Sequence, residues 1–222
     1  MGGLAYVTNE GGRPAKRGEY TDFSAGTPIV ADPDSAASIT GTVSVINVQS
    51  QTVIENIKVG LHPTAIVAAK GFVFVANTNS DSFSVIDTAT NKVLRTEKIK
   101  PFKDAPFGSS PNGLAFTSRD ELAVSLGANN AVAFYSWNGP QRRLKFEGFV
   151  PAAWYPASIG IAAPQKTSAA SEPQIPERLI VANEKGVAVG SNLPDVVSGG
   201  VSGKNTHQYA GSVVDCAPAV AG

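Results

Sequence analysis

The chain has 222 residues and a mass of 22.9 kDa, which suits one domain or a domain and a half. Its 18 basic and 18 acidic residues cancel, and only 16% of the residues are charged, which argues against a nucleic-acid-binding protein. The 22 Gly and 15 Pro residues argue against a helical bundle, while 42% hydrophobic residues are enough to build a core. The composition is typical of an all-β domain with many short strands.

The sequence carries no targeting or membrane signal. No run reaches the ~18 apolar residues that a membrane-spanning helix needs, so no membrane span is predicted. Met1-Gly2-Gly3 lacks the basic and apolar regions of a signal peptide, which predicts either a cytosolic chain or a chain without its native leader. The lone Cys216 cannot form an internal disulfide, and we interpret it as a bystander near the chain end.

Short segments with period-two alternation of apolar residues predict a series of strands. In chain order they lie at 4–9, 41–47, 52–59, 64–68, 72–77, 81–87, 93–99, 113–117, 121–126, 130–136, 144–150, 157–162, 179–183 and 211–215. Asn, Gly, Asp and Ser residues cluster between the segments, where turns need them. Two longer stretches interrupt the series: an insert at 11–40, predicted as a long loop, and an irregular segment at 186–207.

The segments repeat in groups of four. A residue followed by proline opens three of the groups, at Pro63, Pro111 and Pro156, with spacings of 48 and 45 residues. Four strands at this spacing are the sequence signature of β-propeller blades, in which each antiparallel sheet buries both faces against its neighbours. We therefore predict propeller blades over 1–185 and an irregular C-terminal segment over 186–222, with a short strand at 211–215.

The motifs within these segments resemble a known family. Tyr6-Val7-Thr8-Asn9 is the tetrapeptide that gives the YVTN β-propeller repeat proteins their name, and 41–46 and 59–63 are similar to the same family. The insert at 11–40 and the stretch 206–213 resemble bacterial proteins that join such a propeller to a phosphoesterase domain, which this sequence does not contain. The resemblance implies a periplasmic or extracellular protein whose leader is missing.

The strands add up to about three to three and a half blades. A propeller closes as a ring of typically four to eight blades, so open sheet edges and an apolar blade face are predicted, and these favour association. One hypothesis is a homodimer that completes the ring, with the strand at 157–162 of one chain completing the first sheet of the other. The alternative is that the sequence is a fragment of a longer propeller protein.

The inner strands of a propeller converge on a central channel, so we expect candidate site residues at the mouth of that channel. His62 precedes an inner strand, and Ser110 and Tyr155 occupy the matching positions in the next two blades. Glu10 and Glu184 both follow the asparagine that ends a second strand, as Thr78 follows Asn77. We interpret these asparagines mainly as turn residues, because asparagine side chains often bond to the backbone.

Two functions remain open from the sequence. In the first, Glu10, Asn77, Glu184 and His62 hold a divalent metal, Ca²⁺ or Zn²⁺, and His62, Glu10 or Glu184 acts as general base in hydrolysis of an ester or phosphoester, such as a lactone or a phosphotriester. In the second, the chain is a scaffold that binds a small molecule or a protein without catalysis, as in surface-layer proteins of the YVTN type. No nucleophile elbow, P-loop, HExxH or CxxC motif is present.

Aromatic residues near the predicted mouth have two interpretations. Phe102, Phe107, Trp154 and Tyr155 lie in segments that lead into inner strands and could form a wall for a substrate, with Ser110 beside them. We favour packing between blades for these aromatic side chains, and also for Trp137, which ends a strand.

Overall fold

The computed structural model describes residues 3–139, 141–164, 176–184 and 212–216. Within these ranges the chain forms short strands in the following order: β1 (Leu4–Asn9), β2 (Thr21–Ser24), β3 (Thr27–Val30), β4 (Gly41–Asn47), β5 (Thr52–Val59), β6 (Pro63–Ala69), β7 (Phe72–Asn77), β8 (Ser82–Asp87), β9 (Lys92–Lys98), β10 (Pro111–Phe116), β11 (Glu121–Leu126), β12 (Ala131–Asn138), β13 (Arg143–Pro151), β14 (Pro156–Ala162), β15 (Arg178–Asn183) and β16 (Ser212–Cys216). Among these described residues, no helix is long and apolar enough to cross a membrane.

The strands form four consecutive antiparallel sheets and one small hairpin. Sheet 1 has the order β1-β4-β5, sheet 2 is β6-β7-β8-β9, sheet 3 is β10-β11-β12-β13, and sheet 4 is β14-β15-β16. Sheets 2 and 3 are complete four-stranded meanders, whereas sheet 1 has no counterpart of β6 and sheet 4 has none of β9 among the described residues. This confirms the predicted three to three and a half four-stranded blades, including the short last strand.

Alternation along the central strands places apolar side chains on both faces of the sheets. In sheet 2, Val73, Val75 and Ile86 are 0% exposed and pack against Val43 and Val45 of sheet 1. The intervening residues of sheet 2 point the opposite way and pack on sheet 3. Because side chains alternate along a strand, one sheet is thus buried between two neighbours, as the blade prediction required.

The second interface, between sheets 2 and 3, is the most aromatic. Phe74 is 0% exposed, and its ring lies 5.5 Å from that of Phe116 and 5.6 Å from that of Trp137. Phe83 meets Tyr135 edge to face at 5.0 Å between ring centroids. Trp137 is 5% exposed, which confirms that it packs between blades.

The third interface repeats the pattern with smaller side chains. Val132 of sheet 3 and Val181 of sheet 4 are 1% and 2% exposed and belong to one cluster. Sheets 1 to 4 therefore stack face to face in chain order.

The insert at 11–40 is more ordered than a long loop. It holds the hairpin β2–β3, whose two turn residues Ala25 and Gly26 have φ of 47° and 81°, as a tight hairpin turn of the I′ type requires. Arg13 donates two hydrogen bonds to Glu19, at 2.7 and 2.5 Å, and this fork holds the pKa of Glu19 at about 2. Strands of four residues are too short to show periodicity, which is why the sequence predicted a loop.

One prediction about strand use was wrong. β14 pairs with β15 of its own chain from Pro156 to Ala162, so it belongs to sheet 4 and is not a surplus strand that completes sheet 1 of another chain. The reason is that β15 and β16 continue the same meander. The irregular segment predicted at 186–207 lies outside the described residues.

Candidate functional site

Three turns at the start of inner strands have the same geometry. His62, Ser110 and Tyr155 all adopt positive φ, at 50°, 50° and 57°. The carbonyl oxygens of these residues accept hydrogen bonds from the backbone N–H of Thr78, Gly127 and Glu184, respectively, at 3.1, 3.0 and 3.0 Å. Because the same strained turn occurs in sheets 2, 3 and 4, it is a property of the repeat and does not single out one catalytic residue.

Each of these turns also lies against the preceding blade. His62 Nε2 is 4.0 Å from Glu10 Oε2 of sheet 1, and Thr78 Oγ1 donates to the Pro111 carbonyl of sheet 3 at 2.7 Å. A Cβ on Gly127 would approach the Tyr155 ring within 2.9 Å, so the glycine makes room for that ring. We call this series the mouth arc; its members are Glu10, His62, Thr78, Ser110, Gly127, Tyr155 and Glu184.

Glu10 and His62 form the one pair of sequence-predicted catalytic residues that the structure brings together within the described part of the chain. Their side chains are 56% and 41% exposed, so both are open to solvent and to a ligand. The 4.0 Å separation of Nε2 and Oε2 is longer than a hydrogen bond but short enough for electrostatic contact.

Asn77 is placed differently from the metal-ligand prediction. Its side chain is 0% exposed; Oδ1 accepts a hydrogen bond from the Gly60 N–H at 3.1 Å, and Nδ2 donates to the hydroxyls of Ser82 and Ser84 at 3.2 and 3.0 Å. Asn9 donates in the same way to Thr42 and Ser44. The asparagine that ends this strand therefore ties two neighbouring strands together.

Glu184 lies at the other end of the mouth arc. It follows β15 of sheet 4, so sheets 2 and 3 separate it from Glu10 of sheet 1. Among residues 3–139, 141–164, 176–184 and 212–216, no three His, Cys, Asp or Glu side chains lie close enough to hold a metal ion. The predicted ligands present here thus supply two nearby donors, Glu10 and His62, and a Ca²⁺ or Zn²⁺ ion would need further ligands.

The aromatic residues of the connecting segments are not packed between blades. Phe102, Phe107 and Trp154 are 63%, 73% and 55% exposed, so the interpretation of these three as packing residues was wrong. Tyr155, directly after Trp154, is half-buried because its ring rests on Gly127. Exposed aromatic side chains thus stand in the same connecting segments as Ser110 and Tyr155 of the mouth arc.

Asp81 is a positioning residue that sequence reasoning missed. Its carboxylate is 7% exposed and accepts backbone N–H groups from Gly108, Ser109 and Ser110 at 2.6, 2.8 and 3.1 Å. Asn130 does the same for the next blade, where its side-chain oxygen accepts the Tyr155 N–H at 2.9 Å. A signal was present, because both residues directly precede the third strand of their blade and both have positive φ.

Replacing Asp81 should loosen the Ser110 turn. Asp81→Ala removes the acceptor of three charge-assisted bonds, so we expect the free energy of unfolding to fall by about 2–3 kcal/mol. Asp81→Asn is the matched control, because Asn130 shows that an amide oxygen supports such a turn, and we expect it to lose less than half as much. Urea unfolding of the two variants measures both losses of free energy. Equal losses would contradict the view that the side-chain oxygen of residue 81 holds the Ser110 turn.

A groove of about 560 Å³ opens beside Glu10. The insert forms one wall and the free face of sheet 1 forms the other, through the side chains of Ser44, Val53 and Asn56. Its lining is neutral apart from Glu10.

The sheet arrangement matches known structures more clearly than the sequence matches known proteins. No protein-family model matches the chain, and no curated protein matches it in sequence. Hydrazine synthase of Kuenenia stuttgartiensis superposes with a TM-score of 0.50 over 66% of this chain, at 16% identity. Apo AztD from Citrobacter koseri reaches 0.41 over 63% of the chain at 10% identity, and BBS1N in complex with ARL6DN reaches 0.42 over 71% at 14%.

The first of these matches, together with the four stacked sheets, defines the fold class: the chain is a series of β-propeller blades. At 16% identity the match shows the fold alone. The chain spans 39% of the length of the hydrazine synthase chain, 43% of AztD and 51% of BBS1N.

Proposed function

We propose that these blades form part of a hydrolase of uncharged esters or phosphoesters whose general base is the Glu10–His62 pair. The observation that supports the proposal most is the 4.0 Å approach of two exposed side chains from different sheets at the mouth arc. The resemblance of the Tyr6–Asn9 motif and of the insert to YVTN propellers linked to phosphoesterase domains points the same way. That resemblance also supports a periplasmic or extracellular location.

The chemistry needs only water and the pair. The His62 ring nitrogen that does not face Glu10 takes a proton from a water molecule while the water oxygen attacks the carbonyl carbon or the phosphorus. The bond to the leaving oxygen then breaks, and His62 returns the proton to that oxygen, so that an acid and an alcohol are released. Glu10 stabilises the imidazolium between these two events.

The charge of the mouth arc indicates the substrate class. Two of its seven residues, Glu10 and Glu184, are acidic, and none is lysine or arginine. A phosphomonoester dianion would be repelled by these carboxylates, whereas lactones, aryl esters and phosphotriesters carry no charge. Metal-assisted hydrolysis at the same place is a variant of this proposal that requires ligands beyond Glu10 and His62.

A substrate panel tests the proposal. The purified chain is assayed on a lactone, an aryl ester, a phosphotriester and a phosphomonoester, each with and without a chelator. We expect hydrolysis of at least one uncharged ester, no hydrolysis of the monoester, and rates that survive chelation. Loss of the rate on chelation would favour the metal-assisted variant, and an inactive chain on all four substrates would refute the hydrolase.

The second candidate is a non-catalytic binding scaffold, favoured by the exposure of Phe102, Phe107 and Trp154. Trp154 is 55% exposed while Trp137 is 5% exposed, so a ligand at the mouth should change the fluorescence of Trp154. Quenching by a substrate analogue that disappears in Trp154→Phe, in a chain with no hydrolytic activity, would support the scaffold.

A further inference from the structure

The outward face of sheet 1 has the pattern of a blade interface, but no blade packs on it among the described residues, and only the insert stands beside it, at the Glu10 end. Val7 stands two residues before the asparagine that ends β1, as Val75 does in β7; Val75 is 0% exposed and Val7 is 44% exposed. Ile46 occupies the position of Ile86, which is 0% exposed, yet Ile46 is only half-buried. Val53, which pairs with Ile46, is 55% exposed. The face that sheet 2 buries is open in sheet 1.

The outward face of sheet 4 is the opposite half of the same kind of interface. Val213 pairs with Ala182 in the way that Phe83 pairs with Ala76. Phe83 is 0% exposed because sheet 3 covers it, whereas Val213 is 69% exposed. Ile180 and Ala182 stand on the same face of β15 and are half-buried.

We propose that a second copy of this chain occupies these faces, with sheet 4 of each copy packed on sheet 1 of the other. Each of the three interfaces within the chain joins two kinds of face: the kind that is free in sheet 4 and the kind that is free in sheet 1. The proposed contact joins the same two kinds of face and so continues the series. The described residues carry both halves of such an interface, and a second copy supplies each of them. Two such contacts related by a twofold axis close a ring.

The internal interfaces predict which residues meet. Phe83 and Tyr135 lie 5.0 Å apart between ring centroids, and Val213 and Ile46 are their equivalents on the free faces. We therefore expect Val213 of one copy to contact Ile46 of the other. The contact joins faces, since β14 is already paired with β15. The groove beside the insert is lined by Ser44 and Val53 of the same face of sheet 1, and Ile46 is not among its lining residues.

The mass in solution is the first test. Light scattering on the eluted 222-residue chain should give twice the 22.9 kDa of one copy at micromolar concentration. A mass of one copy at every concentration would contradict the proposal. So would a mass that grows without limit, because that would indicate an open array in place of a closed pair.

A charge exchange locates the contact. Val213→Glu and Ile46→Lys are each expected to weaken dimerisation at least tenfold, since a lone charge would be buried in an apolar interface. The double variant should recover a clear part of the affinity, because the two charges then face each other. Val48→Lys, at a valine 55% exposed in the turn after β4, is the matched control and should leave the dimer intact.

The outcomes separate cleanly. Monomeric single variants with a dimeric double variant and control would support the proposal, provided that circular dichroism shows all four folded. Dimers that persist in both single variants, or that are lost equally in Val48→Lys, would overturn it. None of these outcomes depends on hydrolytic activity.

Discussion

Replacing His62 with asparagine is expected to lower hydrolysis of an uncharged ester by about 10² to 10³-fold, because a positioned general base contributes roughly that much. The change should not disturb the turn. His62 has a φ of 50°, and asparagine is among the residues that adopt this conformation most readily. The measurement is kcat/KM on the best substrate of the panel, with thermal unfolding to verify the fold.

The partner and the control sharpen this result. Glu10→Gln should cost less than His62→Asn, since it removes the charge that supports the imidazolium and leaves the base in place. Adding Glu10→Gln to His62→Asn should cost little more, because the two groups act as a unit. Asp104 is an exposed carboxylate in the segment that connects sheets 2 and 3, and Asp104→Asn should keep the original rate. Equal losses in all variants would show that Glu10 and His62 are not the catalytic pair.

Truncating Phe74 to alanine is expected to lower the free energy of unfolding by about 3–5 kcal/mol, as is typical of a fully buried phenylalanine. Its ring is 0% exposed and contacts Phe116 and Trp137 across the interface between sheets 2 and 3. The cavity would lie at the centre of the largest cluster, where the neighbouring rings cannot easily collapse into it. Denaturant unfolding followed by the fluorescence of Trp137 measures the loss.

Phe102→Ala is the matched control for that experiment. Phe102 is 63% exposed, so its truncation should change the free energy of unfolding by no more than about 0.5 kcal/mol. A similar loss in both variants would mean that Phe74 does not sit in a blade interface.

The fold could be predicted from the sequence because the blades repeat the same pattern of alternating apolar residues and turn residues. Alternation places Val73 and Val75 on one face and Phe72 and Phe74 on the other, and the turn before each proline marks the start of a blade. The hairpin at Thr21–Ser24 and Thr27–Val30 was missed because it belongs to the insert, which has no counterpart in the other blades. The pairing of β14 was misjudged because strand order alone does not say which sheet receives a strand.

The candidate site was only partly predictable. Repeat position grouped Glu10 and His62 at the same end of the blades. It did not single them out as a pair, and their 4.0 Å approach is visible only in the structure. The repeat position could not show that the Asn77 side chain is buried and bonded to Gly60, Ser82 and Ser84. Those hydrogen bonds depend on the three-dimensional positions of the neighbouring strands. The exposure of Phe102 and Phe107 likewise depends on how the connecting segment leaves the blade, for which the sequence holds no periodic signal.

The short distance between Glu10 and His62 depends on the stacking of sheets 1 and 2, and the proposed function depends on that distance. Nuclear magnetic resonance tests the distance directly. The chain has two histidines, so the imidazole signals of His62 can be assigned by their loss in His62→Asn. If sheets 1 and 2 stack as described, Glu10→Gln will displace the His62 imidazole signals, while Asp104→Asn will leave them in place. His62 signals that are unchanged by Glu10→Gln would contradict both the stacking of the first two blades and the catalytic pair.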